Sequence, residues 1–143
     1  MRRNLPMILI RVIVGVVFLT EGILKFVYPG ELGWGRFAHI GLPLPHVLAP
    51  FAGAVEIAAG GALILNLYAG DAALLLLIVI LTAIFTTKAP ILLGHSLGRF
   101  GAPKLEHYGL LSFIHEARTD LCMLFGLMAV LLDSGMSLRL KGR

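Results

Sequence analysis

The amino-acid sequence predicts an all-α membrane protein, an antiparallel bundle of four transmembrane helices that forms one domain over residues 1–143. Apolar residues make up 58% of the chain and charged residues only 14%, and the mean hydropathy is strongly positive. Water-soluble domains have a much more polar composition. The apolar residues fall into four blocks, and a helix needs about 20 of them to cross a hydrocarbon core of roughly 30 Å.

The first predicted helix covers residues 5–27. Pro6 falls in its first turn, where the missing backbone N–H costs little. A cleaved signal peptide is the competing interpretation of a basic start followed by an apolar stretch. No small-x-small cleavage site follows the stretch, so we expect a helix that is retained.

The second and third predicted helices cover residues 46–66 and 71–93. The second follows the proline-containing segment GLPLP and has Glu56 as its only charged residue. The third has no charged residue over positions 72–87. Because only a few residues separate the two, they are expected to form a tight antiparallel hairpin.

The fourth predicted helix covers residues 113–133 and includes the polar segment HEARTD. Its uncharged part, residues 121–132, has 12 residues and would extend only about 18 Å as a helix. Backbone within hydrocarbon must satisfy all of its own hydrogen bonds, which favours a helix that continues back through HEARTD. The charges of HEARTD are then predicted to lie inside the span.

The distribution of basic residues predicts the orientation, with the long loops 28–45 and 94–112 together on one side. Basic residues flank the chain ends at Arg2, Arg3, Arg139, Lys141 and Arg143, against Arg36, Arg99 and Lys104 in those loops. Lys and Arg favour the cytoplasmic side, so both termini are predicted to be cytoplasmic, in the inner or plasma membrane. The net charge of +4 follows from this topology and gives no reason to expect nucleic-acid binding.

Eight polar side chains fall in one layer when depth is counted inward from the end that carries the long loops, with Glu56 the nearest to mid-depth. They are Glu21, Lys25, Glu56, Lys88, His115, Glu116, Arg118 and Asp120. An unpaired charge inside a membrane costs about 2.5 to 3.5 kcal/mol, so these groups must pair, face inward or line water.

Two interpretations of this layer stay open. In the first it is structural: Glu21 and Lys25 neutralise each other, and Arg118 locks the fourth helix to Glu21 or Glu56. In the second it is a ligand or quinone pocket, because a quinone needs hydrogen-bond donors at its carbonyl oxygens and carboxylates that move protons. The candidate donors are Lys25, Lys88, Arg118 and His115, and the candidate proton carriers are Glu21, Glu56 and Asp120.

Helical periodicity predicts which faces point inward. The inward face of the first helix carries Arg11, Gly15, Phe18, Glu21, Gly22 and Lys25, and that of the second carries Ala49, Gly53, Glu56, Gly60 and Ile64. Small residues on these faces allow close helix packing. Glu116 and Asp120 share one side of the fourth helix, whereas His115, Arg118 and Cys122 share another. Arg11, at the opposite end from the polar layer, is expected to be either a snorkelling residue or a packing anchor.

Several kinds of chemistry find no support in the sequence. Cys122 is the only cysteine, so disulfide exchange within the chain is excluded and a filler role is favoured. The five histidines have no ligand-pair spacing, and no metal site is predicted. The segment GHSLGRFGAPKLEHYG, residues 94–109, fits a flexible lid better than a phosphate-binding loop.

Three segments resemble the DoxX-like family of membrane proteins. The first-helix signature of the family is similar to Arg11-x3-Gly15-x2-Phe18-x3-Gly22-x2-Lys25-Phe26. Residues 41–70 match its G-x-P segment and its Gly-x2-Glu at Gly53 and Glu56, and the closing DSGMSLR, residues 133–139, resembles its ending less closely. The resemblance covers nearly the whole chain and implies a four-helix integral membrane protein, in a family named for a membrane subunit of a thiosulfate:quinone oxidoreductase.

These observations together predict a membrane subunit or accessory protein of a quinone-linked redox system, with a polar intramembrane ligand site. Its expected partners are the lipid bilayer, a small-molecule ligand and a soluble oxidoreductase, because the chain lacks the groups of a complete oxidoreductase. No catalytic residue is assigned. The alternatives are a binding or transport protein for a small lipid-soluble or anionic molecule, and a non-catalytic membrane anchor for a partner enzyme.

Overall fold

The computed structural model describes the backbone of residues 4–141 and the side chains of residues 4–135. The described residues form helices, turns and loops but no β-strand, which confirms the all-α class. We number the helices α1 (Leu5–Val27), α2 (Trp34–Ile40), α3 (Pro45–Leu65), α4 (Ala69–Leu93), α5 (Leu110–Glu116) and α6 (Arg118–Lys141). Of the described helices, α1, α3 and α4 are long and apolar enough to cross a membrane.

The close contact between α1 and α3 depends on glycine in both helices. A Cβ atom added to Gly22 would lie 2.7 Å from the carbonyl oxygen of Gly53, and one added to Gly15 would lie 2.7 Å from that of Gly60. Real Cβ atoms do not approach backbone oxygens so closely, so these positions have no room for any larger residue. The predicted small-residue faces of the two helices therefore contact each other directly.

A short turn joins α3 to α4. Asn66 and Tyr68 adopt left-handed backbone conformations, with φ of 57° and 47°. The Leu67 N–H donates to the Ala62 carbonyl at 2.8 Å, which closes the end of α3. Asparagine tolerates this conformation better than most residues, so the chain can reverse direction within a few positions.

A π-helical turn, Ile84–Lys88, interrupts α4 between the α-helical parts Ala69–Ala83 and Ala89–Leu93. Pro90 has no backbone N–H, and in a regular α-helix its ring would clash with the carbonyl of Thr86. The wider turn relieves this clash, and it rotates the residues around Lys88 relative to a regular helix. The hydroxyl groups of Thr86 and Thr87 donate to the carbonyls of Thr82 and Ala83 at 2.8 and 2.6 Å.

The polar segment HEARTD lies in two helices rather than in the single predicted helix 113–133. Helix α5 begins at Leu110, the chain bends at the buried Ala117, with φ of −94° and ψ of 6°, and α6 continues to Lys141. The Ala117 N–H donates to the Phe113 carbonyl and its own carbonyl accepts from the Leu121 N–H, both at 2.8 Å. The backbone hydrogen bonds therefore continue across the bend.

The four long helices pack in a ring. Helix α1 contacts α3 and α6, and α4 contacts the same two helices from the other side. The residues buried between them include Val14, Phe18, Leu63, Leu76, Leu127 and Val130. Many large apolar side chains on the outside are more than half exposed, as expected of a surface that faces lipid.

The orientation in the membrane stays a prediction. The basic flanks that indicate it, residues 2–3 and 139–143, lie outside the part of the chain whose side chains the structure describes.

Candidate ligand cavity

A cavity of about 660 Å³ lies between α1, α3, α4 and α6 and is covered by α2. Pockets that bind small molecules usually have volumes of about 300 to 1,000 Å³. The charged residues that line the cavity are Glu21, Lys25, Arg36, Glu56, Lys88, Glu116 and Asp120, and the hydroxyl residues are Thr82, Thr86 and Thr119. Its apolar walls include Phe18, Phe51, Val55, Ile80 and Met123. The lining of the cavity thus combines charged and hydroxyl side chains with apolar ones.

One buried ion pair crosses from α1 to α3. The Lys25 ammonium lies 2.7 Å from the Glu56 carboxylate, and the two side chains are only 10% and 6% exposed. The same ammonium also donates to the backbone carbonyl of Glu21, at 3.4 Å. The glycine contact between Gly22 and Gly53 brings the two helices close enough for the short pair to form.

A looser ion pair crosses from α4 to α6. The Lys88 ammonium lies 3.8 Å from the Asp120 carboxylate, and the side chains are 18% and 23% exposed. This distance is too long for a hydrogen bond, so the attraction is electrostatic and the donors of Lys88 are available to another group. Lys88 stands at the end of the π-helical turn, and this places it opposite α6.

Three further charged groups line the cavity: Glu21, Arg36 and Glu116. Among the residues whose side chains are described, none of the three has an oppositely charged atom within 4.0 Å. The lining contains three basic side chains and four acidic ones. The cavity therefore offers unused hydrogen-bonding groups and no excess of basic side chains.

Six of the eight residues predicted from the sequence line this cavity: Glu21, Lys25, Glu56, Lys88, Glu116 and Asp120. His115 and Arg118 do not line it. Both are exposed, and Arg118 donates to the backbone carbonyl of His115. Within α6, Arg118 is two residues before Asp120, a rotation of about 200° on an α-helix, so it faces nearly the opposite side of the helix from Asp120.

The ion pairs of the structural interpretation, one of the two left open by the sequence, differ from the observed pairs in two respects. Arg118 does not bind Glu21 or Glu56, because it projects away from the cavity. Lys25 does not neutralise the Glu21 carboxylate four residues away on its own helix; it pairs with Glu56 across the helix contact instead. Spacing within a single helix identifies possible pairs but cannot show that a partner on another helix lies closer.

The sequence-based selection of site residues omitted Arg36 and the threonines. Arg36 lies in α2, within the predicted loop 28–45, and Leu32, Arg36 and Ile40 all line the cavity at a spacing of four. Arg36 and Ile40 fall between Gly33 and Gly41, and this four-residue spacing bounded by glycines was a signal for a short helix. The four-residue spacing of Thr82 and Thr86 was a similar signal on α4.

Helix α2 is fixed over the cavity from two sides. The Trp34 ring stacks on His46 at the start of α3, with ring centroids 4.4 Å apart. Gly41, with φ of 98°, lies so close to the backbone of Arg99 that an added Cβ atom would overlap the Arg99 carbonyl. The two long loops therefore contact each other above the cavity.

Two other residues from the sequence analysis lie away from the cavity. Arg11 donates to the Asn66 side chain at the other end of α3, which supports the packing-anchor interpretation. Cys122 is exposed. Within the described residues, no group of three or more His, Cys, Asp or Glu side chains is placed to hold a metal ion.

Comparison with known proteins supports the resemblance that the motifs indicated. The model of the DoxX family matches residues 7–89, which cover α1 to the end of the π-helical turn. The closing segment 133–139 lies outside this match. An uncharacterized membrane protein of Mycobacterium tuberculosis is 45% identical over 124 residues, which are 87% of this chain and 72% of that protein. No solved structure matches the chain.

Proposed function

This integral membrane protein belongs to the DoxX family, and we propose that its cavity binds the polar head group of a lipid-soluble molecule, with a quinone as the preferred candidate. In this proposal the protein is a membrane subunit of a quinone-linked redox system. The observation that carries the proposal is the cavity itself. It combines seven charged side chains with apolar walls, between helices that are otherwise apolar.

The proposal includes four membrane spans, formed by α1, α3, α4 and α6. Helix α6 packs along α1 and α4 and buries Leu127 and Val130, whereas Phe125 and Leu132 remain exposed on its outer side. This distribution suits a helix with one face in the bundle and another in lipid. In this proposal four spans put both termini on one side of the membrane, and the basic flanks favour the cytoplasmic side.

The lining groups fit a neutral head group with two carbonyl oxygens. Lys88 on α4 and Arg36 on α2 can donate hydrogen bonds, because neither forms a short hydrogen bond to a carboxylate among the described residues. Glu21 and Glu116 can exchange protons with a bound head group. Phe18 and Met123 offer apolar surface for a ring.

The charges of the cavity disfavour an anionic ligand. The lining has three basic side chains, and two of them are already paired with carboxylates, so an anion would have to compete with Glu56 or Asp120 for them. Between the two ligand classes that the sequence leaves open, the lipid-soluble class therefore fits better.

The proposal requires a redox partner. The side chains that line the cavity supply donors and proton carriers, but among them there is no cysteine, tyrosine or tryptophan that could carry an electron. A soluble oxidoreductase that docks on the side of α2 and the long loops would deliver electrons nearest to the cavity.

Quinone titration of the purified protein tests the proposal. Trp34 is the only tryptophan and lies in α2, so quenching of its fluorescence reports binding near the cavity. We expect saturable quenching, and Lys88→Gln should weaken binding about tenfold because it removes one charge-assisted hydrogen bond. Lys104→Gln is the matched control, since Lys104 is exposed in the loop and does not line the cavity. No saturable binding of either a ubiquinone or a menaquinone analogue would overturn the proposal.

A further inference from the structure

A second cavity, of about 420 Å³, opens on the outer surface between α3 and α4. We call it the α3–α4 groove and define it by its lining: Phe51, Ala54, Val55, Ala58, Ala59, Ala62, Tyr68, Asp71, Ala72 and Leu75. Alanine forms most of its floor, so the groove exists because side chains on both helices are too small to fill the space between them. Ala54 and Ala58 are exposed to the membrane side.

The groove adjoins the polar cavity. Phe51, Val55 and Leu75 line both spaces. Phe51 and Leu75 are also exposed on the outer surface, at 67% and 50%. These three side chains form the boundary between the two spaces, so a ligand that passes between them would occupy both.

The dimensions of the groove suit one extended hydrocarbon chain. From Phe51 to Ala62 its α3 wall rises about 16 Å, which is more than half of a hydrocarbon core of roughly 30 Å. It runs from the polar cavity towards the α3–α4 turn, where Tyr68 and Asp71 mark its end. A molecule with its head group in the cavity would thus have its chain directed along the groove.

We infer that the α3–α4 groove holds the single apolar chain of a ligand whose head group occupies the polar cavity. The inference rests on the proposed function and adds the class of ligand, an amphiphile with one long chain. Because lipid is as apolar as the groove, moving the chain out of the bilayer brings little hydrophobic gain. The groove contributes van der Waals contact and orientation, so its effect on affinity depends on the length of the chain.

A packed transmembrane helix is the competing occupant, because Ala54, Ala58 and Ala62 have the four-residue spacing of small residues that favours helix association. The shared boundary with the polar cavity favours the chain. A helix about 10 Å wide in this groove would cover Phe51 and Leu75, the two exposed residues of that boundary.

The test compares two probes on the full-length protein in detergent: a benzoquinone with a long isoprenoid chain, and the same ring with a single isoprene unit. The unmodified protein should bind the long-chain probe more tightly. Ala58→Phe should weaken binding of the long-chain probe about tenfold, as expected if about five chain carbons lose contact, and should leave binding of the short-chain probe unchanged. Leu74→Phe adds bulk at an exposed position on α4 outside both cavities and should change neither affinity.

The other outcomes distinguish a failure of the groove inference from a failure of the proposed function. If the short-chain probe binds but chain length and Ala58→Phe have no effect on affinity, the inference about the groove is wrong and the proposed function stands. If neither probe binds the unmodified protein, the proposed function fails and the inference fails with it. If Ala58→Phe lowers the oligomeric mass without changing either affinity, the groove is a helix contact and the inference is overturned. Ala62→Phe repeats the test, should Ala58→Phe fail to fold.

Discussion

Glu56→Ala should strongly destabilise the protein, because it leaves the Lys25 ammonium without its salt-bridge partner. The two side chains are 10% and 6% exposed, and their charged atoms lie 2.7 Å apart. Removing one member of a buried ion pair costs about 3–5 kcal/mol. At a few degrees per kcal/mol for a chain of this size, the melting temperature should fall by roughly 10 °C.

The double variant Lys25→Met/Glu56→Leu separates an unpaired charge from lost packing. Replacing both members of a buried pair with apolar groups of similar volume is often neutral or stabilising. We therefore expect the double variant to melt within a few degrees of the parent protein, well above Glu56→Ala. Melting is followed by Trp34 fluorescence in one detergent for all variants.

Glu106→Ala is the matched control, since Glu106 is an exposed carboxylate in the loop before α5 and should not affect melting. Parent-like melting of Glu56→Ala would refute the argument. A double variant that is destabilised as much as the sum of the two single changes would also refute it, because the two residues would then not be coupled.

Three further predictions concern helix packing and the outer surface. Gly60→Ala places a Cβ atom 2.8 Å from a backbone oxygen of α1 and should cost about 1–3 kcal/mol, whereas Gly61→Ala meets no atom within 4 Å and should leave the melting temperature unchanged or raise it. Arg118→Ala should melt within about 2 °C of the parent protein, because its side chain is exposed. Arg11→Met and Asn66→Ala should each lower the melting temperature by a few degrees. The double variant should melt only slightly lower than either single variant, because both changes remove the same hydrogen bond.

The long apolar helices could be predicted from the sequence because hydropathy and length determine them almost alone. The depth of each polar residue, counted from the end that carries the long loops, could also be predicted, since each residue adds a fixed rise along a helix. Counting along the chain therefore grouped Glu21, Lys88 and Asp120 although they lie on three different helices. The glycine faces of α1 and α3 were visible from their spacing of three and four.

Features that depend on contacts between elements could not be predicted in this way. Lys25 has Glu21 as a local neighbour, and only the separation of α1 from α3, set by Gly22 and Gly53, makes Glu56 its partner. The bend before α6 occurs at Ala117, a strong helix former with no local signal for a break.

Photoaffinity labelling in membranes shows whether the polar cavity binds a lipid-soluble head group. The probe is a quinone with a photoreactive group on its ring, applied to the full-length protein and followed by peptide mapping. We expect labelling within residues 82–88 of α4 and 116–123 of α5 and α6, suppressed by excess unmodified quinone and reduced by Lys88→Gln. Labelling that excess quinone does not suppress, or that is confined to lipid-facing positions such as Leu9 and Ile13, would contradict the proposal.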